Sequence, residues 1–334
     1  MSDKSFQSFP TAAIAVDPVH VGTGGARLGR VDNTIVRDPV TKVPKIPGSS
    51  MAGVLRTYVA MHEEAAASGK PRQVNGKNKP YYPDCAGQGQ PRRDGSGHCG
   101  QSSCKVCTVF GFARGDHGGF AGLASLSDAH VILFPVATRS GPIWITAPGA
   151  LRLIEGLGDF KDVADKVLHL AESSDDPLNL GWLLLPVNEH NMEKVATALD
   201  ALHVPKYIVD RLGIVSDKLL SHVVNSNLEV RTSVAIDPAT GTAEEGALFT
   251  YEALPRGTVL LWDVTCRNPS HFRIGQAVVE AVASIHAVRD VVRTGFPYLE
   301  ALGIGGMGSR GMGRIRVLNG PAPSQNQDSA PEAK

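Results

Sequence analysis

The sequence has no run of about 18 uncharged apolar residues, so it lacks a predicted transmembrane helix. Its N-terminus, MSDKSFQSFP, lacks the basic region followed by an apolar stretch that marks a secretory signal. An excess of charge is also missing, because 33 basic residues balance 33 acidic ones. We therefore expect a cytoplasmic protein with no membrane partner. If it binds nucleic acid, it must concentrate its positive charge locally.

Apolar periodicity is nearly absent from residues 69 to 105, which are rich in glycine, proline and basic residues. Such a segment cannot fold around its own core, so it must be disordered, held by a partner or stapled. Four of the five cysteines lie in or next to it, at Cys85, Cys99, Cys104 and Cys107. In a cytosolic chain, this clustering favours a metal site over a disulfide pair.

The cysteine spacing predicts a structural zinc ion bound by a loop across residues 69 to 107. Thiolates at C-x4-C-x2-C, with a fourth from Cys85, can surround zinc tetrahedrally. Four protein ligands leave no open position for water, which is why the role is structural. His98 can replace Cys99 as a ligand, and four unligated thiols are the alternative to a metal.

What the sequence does have is enough apolar content, 42% of 334 residues, to bury a sizeable core. Residues 11 to 17 predict a first strand. A glycine-rich turn, HVGTGG, follows from His20 and lets backbone amides approach a ligand closely. His20 is a candidate for a ligand contact or an acid–base role, and packing against the turn is the alternative.

A helix is predicted from about Ser49 to Ala67 by the apolar spacing that begins at Met51. Either Ser49 or Ser50 can cap it, and Arg56 follows about two turns in. Exposed amides, hydroxyls and a guanidinium in this arrangement suit phosphate. The carboxylate of Asp32, between the glycine turn and the helix, is expected to face the same groove.

The middle of the chain alternates between strand and helix patterns. Residues 121 to 135 and 142 to 148 predict strands, and Asp128 is expected to bond loop amides at a strand end more than to act in catalysis. Residues 149 to 222 predict an inserted helical region, with helical patterns at 160 to 168 and 192 to 202. Met192 is expected to fill the core.

An extended hairpin is predicted over residues 223 to 254, with Arg231 on one arm as a candidate phosphate contact. Glu245 and Glu252 are candidate helpers in catalysis, although solvated acids are common on hairpins. A buried strand over 258 to 265 and a helix over 273 to 293 follow.

A second glycine-rich segment has six glycines between Gly303 and Gly313. Its amides, those of Gly305 and Gly306 in particular, can cradle phosphates with Arg310 supplying charge. Because a strand follows at 315 to 318, the segment is not a nucleotide P-loop. Residues 319 to 334 predict a disordered tail.

The order H-x-G-x-G, V-D and R-D-x-x-T-x-x-P-x-I-P-G-S-S-x-x-G-x-x-R, from His20 to Arg56, resembles the CRISPR-associated RAMP proteins. The resemblance is strongest to the repeated backbone subunit of type III-B (Cmr) effector complexes. Further matching segments span most of the chain: Val109 to Gly111, Asp128 to Val136, Trp144 to Pro148, Arg231 to Val234, Glu245 to Leu248 and Gly303 to Gly313. One departure is Ala52, where the family usually has lysine.

The resemblance implies an α+β fold, a ferredoxin-like (RRM-like) RAMP palm in one domain over residues 1 to 318. The hairpin at 223 to 254 would be its thumb. The family's subunits stack head to tail along a guide CRISPR RNA with other effector subunits, and they cleave target RNA at regular intervals. Asp32 would be the catalytic residue, with Mg2+ or Mn2+, either as a metal ligand or to orient the attacking hydroxyl.

The resemblance also implies RNA-binding roles for a set of residues in the two glycine-rich segments, the helix start and the hairpin: His20, Ser49, Ser50, Arg56, Arg231, Gly305, Gly306 and Arg310. A catalytically silent guide-RNA scaffold is the alternative function, since related subunits share the fold without nuclease activity. A guide-processing endonuclease is a third possibility, and the Asp32 stretch disfavours it.

Overall fold

Two long antiparallel strands, Phe6–Ala15 and Val259–Arg267, form the centre of the structure. The computed structural model describes residues 4–24, 31–67, 72–74, 76–87, 97–115 and 118–320. Most of the predicted tail, residues 321–334, and parts of the predicted zinc loop lie outside these ranges. Asn319, at the start of that tail, is held by the first strand, because its side chain donates to the Pro10 carbonyl at 2.8 Å.

The strands of the described residues, in chain order, are β1 Phe6–Ala15, β2 Lys45–Ile46, β3 Gln73–Val74, β4 Lys77–Asn78, β5 Phe112–Gly115, β6 Gly118–Phe120, β7 Ala124–Leu126, β8 Ala129–Thr138, β9 Gly141–Thr146, β10 Leu168–Leu170, β11 Ser174–Leu180, β12 Leu183–Glu189, β13 Leu212–Ile214, β14 Glu229–Ile236, β15 Ala243–Ala253, β16 Val259–Arg267, β17 Arg273–Ile274, β18 Ala277–Val278 and β19 Ile315–Val317. The helices are α1 Gly48–Ala66, α2 Lys105–Phe110, α3 Pro148–Leu151, α4 Glu193–Ala201, α5 Lys206–Val209, α6 Asp217–Ser226, α7 Ile285–Arg293 and α8 Phe296–Ala301. None of these helices is long and apolar enough to cross a membrane.

One large sheet carries most of the fold, in the order β11-β12-β10-β13-β9-β8-β16-β1-β19. At its centre both faces of the sheet are buried, since alternate residues in the second half of β1 enter different cores. Ala13 and Ala15 pack with α1 and α7, whereas Ala12 and Ile14 pack with α4. The chain is therefore a mixed α/β protein in which helices cover both faces of a mixed sheet.

Helix α1 begins at Gly48, and neither Ser49 nor Ser50 caps it. The N-terminal amide of Gly48 instead donates to Asp128 Oδ1 at 2.8 Å. A side chain at residue 48 would not fit, because its Cβ would lie 2.4 Å from the Leu126 carbonyl oxygen. The serine cap was therefore wrong, and the prediction that Asp128 bonds nearby amides is confirmed.

The region at 149 to 222 is not an all-helical insertion. It contributes β10 to β13 to the large sheet and contains α4, which confirms the helical pattern at 192 to 202. The predicted helix at 160 to 168 was wrong, because Phe160 and Val163 pack against the core from a loop. The apolar residues there are spaced as in a helix because they pack against the core, but the backbone does not form helical hydrogen bonds. Met192 is 9% exposed and fills the core, as predicted.

The predicted helix at 273 to 293 is wrong in its first half. Residues 273 to 278 form the small hairpin β17–β18 around Gly275, whose φ of 60° suits a tight turn. Only α7 keeps the predicted helix, with Val288 and Val292 fully buried. The strand at 258 to 265 and the hairpin are confirmed as β16 and β14–β15, although α6 occupies the first residues assigned to the hairpin.

Candidate nucleic-acid interface and metal centre

Asp32 lies at the base of the β14–β15 hairpin, which is a two-stranded sheet separate from the large one. Its exposed carboxylate accepts two hydrogen bonds through Oδ2, from the Thr250 amide at 2.7 Å and the Thr250 hydroxyl at 2.9 Å. These bonds stabilise the charged form and lower the pKa of Asp32 below its usual value. The carboxylate is thus ionised at neutral pH and accessible to solvent.

The two glycine-rich segments pack against each other. The amide of Gly306 donates to the His20 carbonyl at 2.8 Å, and a Cβ at residue 305 would lie 2.2 Å from that oxygen. Gly313 likewise donates its amide to the Pro18 carbonyl at 2.9 Å. The glycines allow this close backbone approach.

This packing corrects two RNA-binding predictions. Gly306 uses its amide within the protein, so it does not offer that amide to a phosphate. His20 is 6% exposed, and its Nδ1 lies 2.6 Å from the Glu252 carbonyl oxygen. Its ring also meets Tyr251 edge to face. His20 therefore packs against the hairpin, and an RNA contact of Gly305 stays a prediction.

The hairpin packs against the second glycine-rich segment through a small apolar cluster. The cluster consists of Tyr251, Ala253 and Met312, with Phe249 and Met307 partly buried at its edge. Exposed Arg310 stacks over the Phe249 ring, 5.1 Å from its centroid. Its Nη1 donates to Met307 Sδ at 3.8 Å, and the other N–H groups of a guanidinium stacked on an aromatic face can meet a phosphate. Arg310 therefore stands beside the hairpin in a position that suits its predicted role.

Three other predicted RNA contacts are accessible. Ser49 is exposed and Ser50 half-buried in the first turn of α1. Arg231 is half-buried on β14, where its Nε donates to Glu229 at 2.6 Å. The candidate helper Glu252 instead binds Arg37 at 2.8 Å. The side chain of Glu245 lies outside the described residues.

Arg56 does not face solvent, which contradicts its predicted role at an RNA phosphate. The residue is 8% exposed, and its guanidinium donates to the Cys85 and Gly111 carbonyls and to His98 Nδ1, each at 2.7 Å. Burial and the adjacent Arg56 charge lower the pKa of His98 to about 4, so the imidazole is neutral and accepts this bond. Arg56 therefore joins α1 to the cysteine-containing loop.

The four predicted cysteines converge, with all Sγ atoms within 4.8 Å of one another. Cys99 and Cys107 Sγ are 3.7 Å apart, and Cys85 and Cys104 Sγ are 4.0 Å apart. A tetrahedron with metal–sulfur bonds of about 2.3 Å has edges of about 3.8 Å. The cluster therefore fits a metal ion with four thiolate ligands. Because His98 is engaged by Arg56, the set of four cysteines is favoured over one containing His98.

Local features support this centre. Cys104 is the N-cap of α2, and its sulfur accepts a bond from the Cys107 amide. Arg72 donates to Cys99 Sγ at 3.1 Å and stacks on the Tyr81 ring. Although burial opposes it, the cluster's negative charge raises the pKa of Arg72. A cation at this place compensates the charge of a four-thiolate site.

Comparison with known families places these features in context. The family model for the RAMP superfamily matches residues 13–316. The chain belongs to the RAMP superfamily.

Individual RAMP relatives carry more specific names. The CRISPR system Cmr endoribonuclease Cmr4 of Pyrococcus furiosus is 24% identical over 260 residues, covering 72% of this chain and 76% of that protein. The CRISPR system Cms endoribonuclease Csm3 of Methanothermobacter thermautotrophicus is 29% identical over 97 residues, 28% of this chain and 29% of that protein.

Solved structures show the same fold. A crystal structure of oligomeric Cmr4 from Pyrococcus furiosus has a TM-score of 0.55 and 17% identity, covering 94% of this chain and 99% of that one. A chain of the type III-B Cmr-beta complex bound to cognate target RNA has a TM-score of 0.59 and 14% identity, covering 94% and 98%.

Sequence reasoning missed two residues of these sites in this RAMP chain. Thr250 bonds Asp32 from 218 residues away along the chain, and no local motif marks it. Arg72 approaches the cysteine cluster from a segment with no apolar periodicity. Its place two residues after Lys70 in a basic stretch gave no signal of a thiolate partner.

Proposed function

We propose that this RAMP protein is a repeated backbone subunit of a type III CRISPR effector complex, and that it cleaves target RNA paired to a guide RNA. The relatives named as Cmr and Cms endoribonucleases support this activity. The observation that carries it is the exposed, ionised Asp32 carboxylate bound to the base of the hairpin. The chain is then an endoribonuclease acting in the cytoplasm.

The chemistry is attack of the adjacent ribose 2′-hydroxyl, which loses its proton, on the scissile phosphate. A 2′,3′-cyclic phosphate forms as the bond to the 5′-oxygen of the next nucleotide breaks, and that oxygen leaves as a protonated hydroxyl. Asp32 accepts the Thr250 bonds through Oδ2, and neither uses Oδ1. Oδ1 is thus placed to bind a hard cation or to orient the hydroxyl. A divalent ion, Mg2+ or Mn2+, supplies positive charge to the phosphate when bound.

The β14–β15 hairpin acts as the thumb that interrupts guide–target pairing. One face of it, defined by register, presents Val230, Val234 and Leu248, which are 53%, 43% and 66% exposed. Thr250 shares this face, so the apolar surface adjoins Asp32. Exposed apolar side chains suit contact with base faces that have lost their pairing partners. Cleavage next to the thumb follows from this arrangement.

The RNA backbone is held at the first turn of α1 and beside the thumb. Ser49, Ser50, Arg231, Arg310 and Gly305 form this proposed set, because they are exposed or half-buried on these elements. Contacts of this kind bind the strand without selecting its sequence. Such binding suits a subunit that accepts any guide and stacks head to tail with copies of itself and with other subunits.

The palm of this domain, within residues 1 to 318, is ferredoxin-like. Four of its strands lie in the order β8-β16-β1-β19, with every neighbouring pair antiparallel. Helix α1 connects β1 towards β8, and α7 and α8 connect β16 to β19. This βαββαβ succession supports the assignment. The cysteine-containing loop is an insertion between α1 and β7 that holds a structural zinc ion.

The test of the proposed function is cleavage of labelled target RNA by reconstituted complex with Mg2+, comparing wild type with Asp32→Ala. Asp175→Ala is the matched control, because Asp175 is exposed on β11, the end strand of the large sheet. We expect evenly spaced cuts by wild type and by the control, and a loss of at least 100-fold in the cleavage rate with Asp32→Ala at unchanged target binding. Equal cutting by Asp32→Ala would place the nuclease elsewhere. Wild-type complex that binds target but does not cut it would support the silent scaffold.

A further inference from the structure

The segment that carries Asp32 takes its position from the thumb. The Asn33 amide donates to the Thr250 carbonyl at 3.1 Å, and the Glu252 amide donates to the Asn33 carbonyl at 3.0 Å. Asn33 and Tyr251 form a parallel bridge. Residues 32 to 35 thus lie along β15 like a short added strand.

A reciprocal pair forms at the start of this contact. Thr250 donates both its amide and its hydroxyl to Asp32 Oδ2, at 2.7 and 2.9 Å, and its hydroxyl accepts from the Asp32 amide at 3.1 Å. One threonine therefore fixes both the backbone and the carboxylate of Asp32. Hydrogen bonds to a charged acceptor are stronger than those between neutral groups, so this pair orients an exposed side chain that burial does not hold.

Glu252, two residues along the same strand, provides a second attachment. Its Oε2 accepts from the Ile35 amide at 3.2 Å and from Arg37 at 2.8 Å. Arg37 also donates to Asn225 on α6 at 2.7 Å. The segment is therefore attached at both ends to β15, and movement of the thumb base would carry Asp32 with it.

We propose that Thr250 is a positioning residue that holds the Asp32 carboxylate for RNA cleavage and couples it to the thumb. The inference rests on the proposed function, in which Asp32 meets the reacting atoms. It assigns the hydroxyl of Thr250 a role in the cleavage step and none in binding the target. Cleavage then occurs where the thumb enters the duplex, because the thumb itself places the carboxylate.

The experiment measures single-turnover cleavage and target affinity for Thr250→Val in the reconstituted complex. This change removes the hydroxyl but keeps the branched shape and the backbone amide. Thr250→Ser restores the hydroxyl, and Thr197→Val is the matched control, because exposed Thr197 on α4 likewise donates its hydroxyl, in this case to the Glu193 carbonyl. We expect the cleavage rate of Thr250→Val to fall about tenfold at unchanged target affinity. Thr250→Ser and Thr197→Val should stay within threefold of wild type.

The outcomes separate the inference from the proposed function. Wild-type rates for Thr250→Val, in an assay where Asp32→Ala is inactive, would overturn the positioning role alone. Equal losses for Thr250→Val and Thr250→Ser, or parallel losses of affinity and rate, would replace it with a structural role. Full activity of Asp32→Ala would overturn both proposals. If Thr250→Val assembles poorly, Thr250→Ala, measured per assembled complex, decides by the same criteria.

Discussion

The cysteine cluster and the Asp32 site hold negative groups in opposite ways. The cluster is enclosed, with Cys85, Cys104 and Cys107 fully buried and Arg72 against its charge. Asp32 is exposed, and its carboxylate accepts hydrogen bonds from the neutral Thr250. Because four sulfurs complete a coordination shell, the first site has nothing left to offer a substrate. The second keeps an accessible anion, so the same chain separates a candidate metal centre from the proposed catalytic site.

Of the substitutions considered, one in the enclosed cysteine cluster should change stability most. Cys104→Ser removes one thiolate, and we expect loss of the bound metal together with a large fall in the melting temperature, because metal binding and folding of this loop are coupled. Metal content by mass spectrometry and thermal unfolding measure the two effects. Cys266→Ala is the control, since Cys266 is fully buried in the main core and outside the cluster. Retention of stoichiometric metal by Cys104→Ser would contradict a four-cysteine centre.

A second prediction concerns Arg56. It distinguishes a structural role of this side chain from a role in binding RNA. Arg56→Lys cannot keep three guanidinium bonds in one geometry, so we expect destabilisation by about 3 kcal/mol. Denaturant unfolding measures this loss. Arg316→Lys, at an exposed pair with Glu300, should change stability by less than about 0.5 kcal/mol. Unchanged stability with weakened RNA binding would restore the phosphate role that the sequence predicted.

The smallest expected effect is at Asp128, which caps the helix that begins near the proposed RNA surface. Asp128→Ala should destabilise by about 1 kcal/mol at pH 7, since α1 loses its N-terminal acceptor. The hydrogen bond from Lys45, followed by the Gly48 amide bond and then the charge of Lys45, lowers the pKa of Asp128 in the folded state. Its stabilisation is therefore fully present above the unfolded value of 3.8 and is lost as the pH falls through the lower folded pKa.

Urea unfolding from pH 7 to pH 3 measures that dependence. The difference between wild type and Asp128→Ala should stay constant down to about pH 5 and shrink below about pH 4. Asp128→Asn removes the charge but keeps an acceptor oxygen, so it separates the cap from the ion pair with Lys45. A difference that grows as the pH falls would contradict the assigned cause.

Elements with strong local patterns were predictable. The strand at 258 to 265 and the helix at 192 to 202 follow from apolar periodicity, and the cysteine cluster follows from spacing and the lack of other core residues nearby. Asp32 was predicted as the catalytic residue through resemblance, and that role stays a prediction. Local sequence could specify the strand, the helix and the cysteine cluster because the interactions that form each of them act within one element or one loop.

What sequence could not supply depends on long-range packing. Arg56 has the charge and helical position of a phosphate ligand, and only the tertiary fold shows that it faces Cys85 and Gly111. Gly306 fits a phosphate loop equally well, but its amide meets His20. In both cases a polar group finds a partner inside the protein that is distant in sequence. The Thr250 contact to Asp32 has the same origin.

Whether each copy cleaves target RNA at its own Asp32 is tested most directly with complexes assembled from mixtures of wild-type and Asp32→Ala subunits. If every copy carries its own reacting carboxylate at its own thumb, the yield at each cut should fall in proportion to the mutant fraction, with the spacing of cuts unchanged. Loss of all cuts at a low mutant fraction, or full cutting by complexes made only of Asp32→Ala subunits, would contradict it.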